Sequence, residues 1–145
     1  QQSLFLAMAK AKHISLFNKN KIIVCFDTTI HLEGETIFKC KNREECVNIL
    51  KKLNDSKHYL ISSACISKNG AMIWNHTDSS ELKMKNLTHN ELAKYLAKIE
   101  TNILLAYGVY QIEANGLDLF EYIKGDKESI MGLPIKEIIN YIKQF

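Results

Sequence analysis

Residues 58–84, HYLISSACISKNGAMIWNHTDSSELKM, decide the fold class because they predict a long antiparallel hairpin. His58–Ser67 and Ala71–Met84 both read as strands, with β-branched, aromatic and apolar residues among them. Between them lies Lys68-Asn69-Gly70, and Asn-Gly is the strongest short-range signal for a tight hairpin turn. The rest of the sheet is expected to be built outward from this hairpin.

Helix signals lie on both sides of the hairpin. Residues 3–16 are good helix formers throughout. Asn42 and Thr88 are each followed three residues later by Glu, a capping-box pattern that opens two further helices. Pro134 suits the start of a terminal helix over Ile135–Ile142.

Three more segments predict strands. Lys21–Ile30 is β-branched and apolar in the way of a buried strand. Gly108–Ile112 and Leu117–Ile123 are also strand-like. Alternating elements of both kinds, together with a hairpin, predict an α/β or α+β fold with a mixed β-sheet and flanking helices.

Length and composition are those of an ordinary globular domain. The chain has 145 residues, 46% hydrophobic and 24% charged, which excludes disorder, collagen and coiled coil. Residues 1–145 are therefore expected to form a single domain. The apolar run Leu4–Ala9 is far shorter than a bilayer span. Because the first residue is Gln1 rather than Met, upstream sequence is expected to be missing, so that the domain is N-terminally incomplete.

The cysteines and charges narrow the function class. The four cysteines, Cys25, Cys40, Cys46 and Cys65, form no C-x-x-C pair, so we expect reduced thiols in a cytoplasmic protein with no structural metal.

The charge balance bears on the kind of partner. The 19 basic and 16 acidic residues leave a net charge of +3. Because the lysines are spread along the chain, nucleic-acid binding is not indicated, whereas an anionic small substrate remains open.

One carboxylate stands out within an apolar strand. Asp27 follows Ile22–Phe26, and a carboxylate there needs a donor, a metal ion or the mouth of a cleft. Two readings stay open: a functional carboxylate, or a strand-end carboxylate satisfied by local amides. Lys10 and Lys39 suit an oligophosphate as compact point charges, but most lysines only solvate a protein surface, so neither residue alone is a specific signal.

The order of these motifs resembles the Maf family, the septum-formation-inhibitor-like nucleotide pyrophosphatases, over nearly the whole chain. Leu6–Ala11 is similar to the family's Leu-Ala-x-x-Lys-Ala, and Ile23–Thr29 to its Ile-Gly-x-Asp-Thr-Val. Phe38-Lys39-Cys40 resembles its Gly-Lys-Pro. The most specific resemblance is in the tail of the chain. The family has three motifs there, Gly-x-Tyr-x-x-Glu/Gln-Gly, Gly-Asp and Gly-Leu-Pro. The residues of this chain that resemble them, in the same order, are Gly108–Glu113, Gly125-Asp126 and Gly132-Leu133-Pro134.

This resemblance implies a mixed-sheet α/β fold similar to that of inosine triphosphate pyrophosphatase, with two lobes around a cleft, and commonly a homodimer. It implies hydrolysis of a nucleoside triphosphate, with a standard or modified base, to monophosphate and pyrophosphate with Mg²⁺ or Mn²⁺. Asp27 would be the catalytic and metal-organising carboxylate, and Lys39 a catalytic phosphate contact. Lys10, Gln111 and Glu113 would bind the substrate.

The chain also departs from the family pattern. The family's Arg-rich phosphate loop and a following Glu are not among these residues, and Arg43 is the only arginine. Cys25 stands where the family has Gly, and Phe38 and Cys40 flank Lys39 in place of Gly and Pro. Without that loop the chain as it stands is expected to be impaired. The alternative is a non-catalytic nucleotide-binding or interaction protein on a degenerate Maf-like fold.

Overall fold

The computed structural model of the chain describes residues 2–108, 110, 112 and 116–145. It contains six α-helices and five β-strands in the described part of the chain. The helices are α1 (Gln2–Leu16), α2 (Arg43–Leu53), α3 (His89–Ala97), α4 (Thr101–Tyr107), α5 (Lys127–Ile130) and α6 (Ile135–Ile142). The strands are β1 (Ile23–Leu32), β2 (Glu35–Ile37), β3 (Lys57–Lys68), β4 (Ala71–Met84) and β5 (Phe120–Lys124).

The five strands form one sheet in the order β2-β1-β3-β4-β5. β1 with β2 and β4 with β5 are antiparallel pairs. Between β3 and β4, Asn69 has φ +50° and Gly70 has φ +81°, the left-handed conformations that a two-residue type I′ turn requires. The hairpin is therefore confirmed, and so is the predicted α/β class.

Local signals at helix starts behave largely as expected. The Thr88 side chain accepts from the Glu91 backbone N–H, and the Glu91 carboxylate accepts from Thr88 N–H at 2.7 Å, a complete capping box. Asn42 caps α2 by accepting from Glu45 N–H. There the return bond differs, because the Glu45 carboxylate accepts from Lys41 N–H instead of from the cap residue.

The strand predicted around Gly108–Ile112 is wrong for the residues that can be described. Gly108 and Tyr110 lie outside any strand and Ile112 lies in a turn. The helix α4 that precedes them was not predicted, and its N-cap, Glu100, makes no side-chain capping bond. The sequence therefore carried no capping signal for this helix.

The chain divides into two compact units, each made of several segments. The first unit contains the chain up to Thr29, Leu60–Ser80 and Gly125–Phe145. The second unit contains Ile30–Tyr59 and Glu81–Lys124. No helix in the described part of the chain has the length and apolar character needed to cross a membrane.

In the first unit, α1 packs on the sheet through small residues. Its buried positions are Ser3, Ala7, Ala11 and Ser15, spaced four apart as one helical stripe. Ala7 and Ala11 pack against Cys65 of β3, joined by Ile23 and Cys25 of β1. Small side chains at this contact let the helix backbone approach the sheet closely.

The opposite face of the same sheet is covered by α6. Ile138 packs against Ala64 and Ile66 of β3, with Val24 and Trp74 at the edges of the cluster. β1 itself is not the buried strand that its composition predicted, since Phe26 is 48% exposed and most of the strand is half-buried. Apolar composition alone could not reveal how much of this strand the helices leave uncovered.

In the second unit, a buried histidine lies within an aromatic cluster. His58 is fully buried, and its Nε2 atom lies 2.9 Å from the Tyr110 hydroxyl oxygen. The Phe120 ring lies 6.0 Å from His58 and 5.0 Å from Tyr110. Burial lowers the pKa of His58 to about 4, against a weaker opposing effect of the Ser56 backbone, and burial raises the pKa of Tyr110. Both groups are therefore neutral at pH 7.

Stability is expected to fall as His58 is forced to take up a proton. Unfolded histidine has a pKa near 6.5, so between pH 6.5 and about 4 the unfolded state binds the proton and the folded state does not. The free energy of unfolding should therefore decrease over this window, by up to about 3 kcal/mol. Urea unfolding at pH 7.0, 5.5 and 4.5 measures it.

The matched control for this prediction is the exposed His89. In the His89→Gln variant the free energy of unfolding should keep its full pH dependence. In the His58→Gln variant it should lose the decrease expected between pH 6.5 and about 4. Equal pH dependence in the two variants would contradict a buried neutral His58. Histidine-side-chain NMR of the wild type should show His58 neutral below pH 5.

Candidate functional site

The predicted carboxylate and one predicted lysine meet in the first unit. Asp27 lies on β1 and Lys10 on α1, and the Lys10 Nζ atom donates to Asp27 Oδ1 at 2.7 Å. Asp27 lies two residues beyond Cys25, whose side chain packs under α1, so alternation along the strand places Asp27 on the same face. The carboxylate side chain is 16% exposed and the ammonium side chain 52% exposed. The pair therefore lies at the edge of the helix–sheet contact, with access to solvent.

These contacts decide between the two readings left open for Asp27. β1 continues to Leu32, so Asp27 does not lie at a strand end. In the described part of the chain, Lys10 is the single hydrogen-bond partner of its carboxylate, and backbone amides do not satisfy it. The interpretation of Asp27 as a strand-end carboxylate satisfied by local amides is therefore wrong. A half-exposed ion pair adds little to stability, so fold stability does not account for its presence.

Cys25 lies beneath this ion pair. It is half-buried against Ala7, Ala11 and Cys65. Burial raises the pKa of the Cys25 thiol, and the positive charge of Lys10 opposes this shift. Cys25 therefore remains a neutral thiol at pH 7 that contributes packing under Lys10.

A polar network on the other face of β1 fixes the strand beside Asp27. The Thr28 hydroxyl lies 3.1 Å from that of Ser62, and Ser62 donates to the Ser129 carbonyl at 2.8 Å. Ser129 in turn donates from its hydroxyl to Asp78, which also lies 2.9 Å from His76 Nε2. No sequence motif indicates this network, because its members lie on four elements, β1, β3, β4 and α5.

The Gly-Asp and Gly-Leu-Pro motifs of the tail support the same network. Asp126 caps α5 by accepting from Ser129 N–H at 2.9 Å. Gly125 has φ +156°, and a Cβ atom there would lie 2.2 Å from Ser80 Oγ. Gly132 has φ +94° and faces Thr28. In the first unit these motifs act structurally, holding the α5 turn against the strand that carries Asp27.

Lys39, the second predicted catalytic residue, belongs to the second unit. It follows β2 by two residues, and its Nζ atom donates to the Ala106 carbonyl oxygen at 3.0 Å. Ala106 lies in the last turn of α4, where carbonyl groups lack intrahelical partners and favour a cation. Lys39 is thus oriented by a helix end.

The remaining predicted binding residues, Gln111 and Glu113, lie outside the described residues. Arg43 is engaged structurally. Its guanidinium donates to the Ile99 carbonyl at 3.0 Å, to the Thr101 hydroxyl at 3.2 Å and to the Leu96 carbonyl. The only arginine of the chain therefore joins α2 to the end of α3 and the start of α4.

The expectation of four reduced thiols is wrong for two of them. Cys40 and Cys46 form a disulfide with Cα atoms 5.3 Å apart, while Cys25 and Cys65 are free. The C-x-x-C pattern does not indicate this bond, because its partners are six residues apart. Between them the chain turns into α2 at its Asn42 cap, which returns Cys46 to Cys40.

The described residues contain no cluster of three or more His, Cys, Asp or Glu side chains that could hold a metal ion. Asp27 has one oxygen bonded to Lys10 and none of its described hydrogen bonds uses the other oxygen. Mg²⁺ in nucleotide sites is commonly bound through one or two carboxylates together with substrate phosphates. The single carboxylate of Asp27 fits that mode of binding.

The fold and this carboxylate–lysine pair define an α/β protein with a partly exposed polar site at a helix–sheet edge. The model of the Maf-like protein family matches residues 1–145. The chain belongs to this family.

The chain is also similar to curated proteins named as nucleotide pyrophosphatases. The chain is 51% identical over 138 residues to a nucleoside triphosphate pyrophosphatase of Pelagibacter ubique (strain HTCC1062), covering 95% of this chain and 71% of the relative. It is 37% identical to a 7-methyl-GTP pyrophosphatase of Bartonella henselae, covering 99% and 72% of the two chains. It is 31% identical to a nucleoside triphosphate pyrophosphatase of Ruegeria pomeroyi, covering 94% and 69%.

The tail motif generates a stability prediction. Gly125→Ala should lower the free energy of unfolding by at least about 2 kcal/mol, because the new Cβ meets Ser80 while φ is positive. Gly34→Ala is the matched control, since Gly34 also has positive φ but has no atom within 4 Å of the added Cβ. That control should lose only about 1 kcal/mol. Urea unfolding curves measure both, and equal losses would contradict the steric account.

Proposed function

We propose that this protein is a nucleoside triphosphate pyrophosphatase that hydrolyses a nucleotide, with a standard or modified base, to the monophosphate and pyrophosphate. The observation that carries the proposal is the Lys10–Asp27 pair, a carboxylate and an ammonium 2.7 Å apart at the edge of the helix–sheet contact. Family membership and the names of the relatives support the same reaction class.

The pair contains the groups that attack on a phosphoryl group requires. The Asp27 oxygen that is not bonded to Lys10 can accept a proton from water and orient it for attack. Lys10 fixes the carboxylate and, being 52% exposed, also offers N–H donors to phosphate oxygens. One ammonium thus orients the base and offsets the charge of the substrate.

A divalent metal ion held by Asp27 and the substrate phosphates would polarise the phosphoryl group when bound. Lys39 is proposed as a second phosphate contact. Its ammonium makes one described hydrogen bond, to Ala106, so donors remain for an anion. Glu113 and Gln111 are proposed to contact the nucleotide.

Loss of the carboxylate charge should abolish most of the activity. Asp27→Asn keeps the side-chain size but removes the acceptor for the water proton, so kcat should fall at least about a hundredfold. Pyrophosphate release from a panel of nucleoside triphosphates, 7-methyl-GTP among them, with Mg²⁺ or Mn²⁺ measures it, using the protein encoded by the complete gene. Asp118→Asn is the control, because Asp118 is exposed and should keep wild-type activity.

Two outcomes would overturn the proposal. Equal activity of Asp27→Asn and wild type would remove Asp27 from the mechanism. A wild-type protein that binds nucleotide but releases no pyrophosphate would favour the alternative of a non-catalytic nucleotide-binding protein.

Lys10 provides a second test, with a neighbour on the same helix as its control. Lys10→Met removes a charged hydrogen bond worth about 1.5–3 kcal/mol, so kcat/KM should fall about ten- to hundredfold. Lys12→Met removes the same charge from an exposed position two residues away and should leave kcat/KM within about twofold. Similar losses in both variants would indicate a general charge effect and contradict a specific role for Lys10.

A further inference from the structure

The Cys40–Cys46 disulfide lies directly beside Lys39. Cys46 is fully buried in α2 and Cys40 is 6% exposed. Lys39 precedes Cys40, and Phe38 before it is 63% exposed. β2 ends at Ile37, so Phe38 and Lys39 lie between the sheet and the disulfide without belonging to a strand. The bond is the covalent anchor for this segment.

The same segment runs along the last turn of α4. The Cys40 sulfur lies 4.0 Å from the Leu104 carbonyl oxygen, and the Lys39 Nζ atom lies 3.0 Å from the Ala106 carbonyl oxygen. Two consecutive residues thus contact two carbonyl groups of one helix. Because a lysine side chain has four rotatable methylenes, the position of its ammonium depends on the backbone being fixed at its root.

A second set of contacts also restrains the start of α2. Lys41 N–H donates to the Glu45 carboxylate at 2.8 Å, and Arg43 joins α2 to the start of α4. These bonds hold α2 itself. They begin after Cys40, so the disulfide is the restraint nearest to Lys39.

We propose that the Cys40–Cys46 disulfide is a positioning element for Lys39, which fixes the ammonium at the end of α4 so that it binds substrate phosphate. The inference rests on the proposed function, in which Lys39 is a phosphate contact. Its consequence is that breaking the disulfide weakens substrate binding while the Asp27 chemistry proceeds at its normal rate.

A dithiol reductant breaks the bond by thiol–disulfide exchange. One reductant thiolate attacks a cysteine sulfur and forms a mixed disulfide, releasing the other cysteine as a thiolate that takes up a proton. The second reductant thiol then displaces the remaining cysteine. The products are two cysteine thiols and the oxidised reductant, so two electrons and two protons have been transferred.

A double-mutant cycle tests whether the disulfide acts through Lys39. In the Lys39 background, Cys40→Ser with Cys46→Ser should raise KM about tenfold and leave kcat within about twofold, since a charged contact is worth about 1.5–3 kcal/mol when fully made. In the Lys39→Met background the same cysteine changes should leave KM unchanged. An equal rise in both backgrounds, or no rise in either, would overturn the proposal.

Two controls accompany the cycle. Reduction of the wild type by dithiothreitol should reproduce the KM of the double serine variant, which should itself be insensitive to the reductant. Cys65→Ala removes a buried free thiol and should leave KM unchanged. An effect of dithiothreitol on the double serine variant would assign the reductant's action to another group and overturn the proposal.

A measurement without turnover separates this inference from the proposed function and does not require the serine variant to fold. Lysines of the wild type are ¹³C-dimethylated, and the Lys39 signal is assigned by its loss in Lys39→Arg. On reduction, this signal should shift toward that of the exposed Lys12. An unchanged Lys39 signal would overturn the positioning role, whereas absence of pyrophosphate release with a shifted signal would overturn only the proposed function.

Discussion

The close approach of α1 to the sheet is the constraint on which the site depends. Ser3, Ala7, Ala11 and Ser15 form the buried stripe of the helix, and their small volume sets a short distance between helix and strand backbones. Lys10 precedes Ala11 on this helix, so its ammonium reaches a carboxylate on β1. A larger side chain in the stripe would move the helix outward and separate a pair that is joined by one hydrogen bond of 2.7 Å.

The two faces of β1 carry different groups in the first unit. On the α1 face lie Cys25 and Asp27, and on the other face Thr28 joins the hydroxyl network that ends at Asp78. The network contains several hydrogen bonds to buried groups, which are costly to leave unmade, so it restrains the strand more firmly than the exposed ion pair can. A half-exposed ammonium beside a carboxylate on a restrained strand is a suitable arrangement for binding an anion.

Local signals in the sequence predicted much of the fold. The Asn69-Gly70 hairpin, the Thr88 capping box and the terminal helix from Ile135 all appear where short-range chemistry places them. The features that the sequence did not predict depend on contacts between distant residues. α4 has no capping side chain, the Cys40–Cys46 bond requires the chain to turn into α2, and the Ser62–Ser129 link joins residues 67 apart. For the site, the sequence indicated Asp27 and Lys10 as candidates, but only the packing of α1 shows that they touch.

Each of the two units is made of segments that alternate along the chain, and this affects the order in which the ribosome makes them. All residues of the second unit have been made once Lys124 is added, whereas the first unit still needs Gly125–Phe145, which supplies α5 and α6. Contacts between residues far apart in the sequence slow folding, because the chain loses entropy in closing the loop before these contacts can stabilise it. The ribosome therefore finishes adding the residues of the second unit, which bears Lys39, before it adds Gly125–Phe145 of the first unit, which bears Asp27.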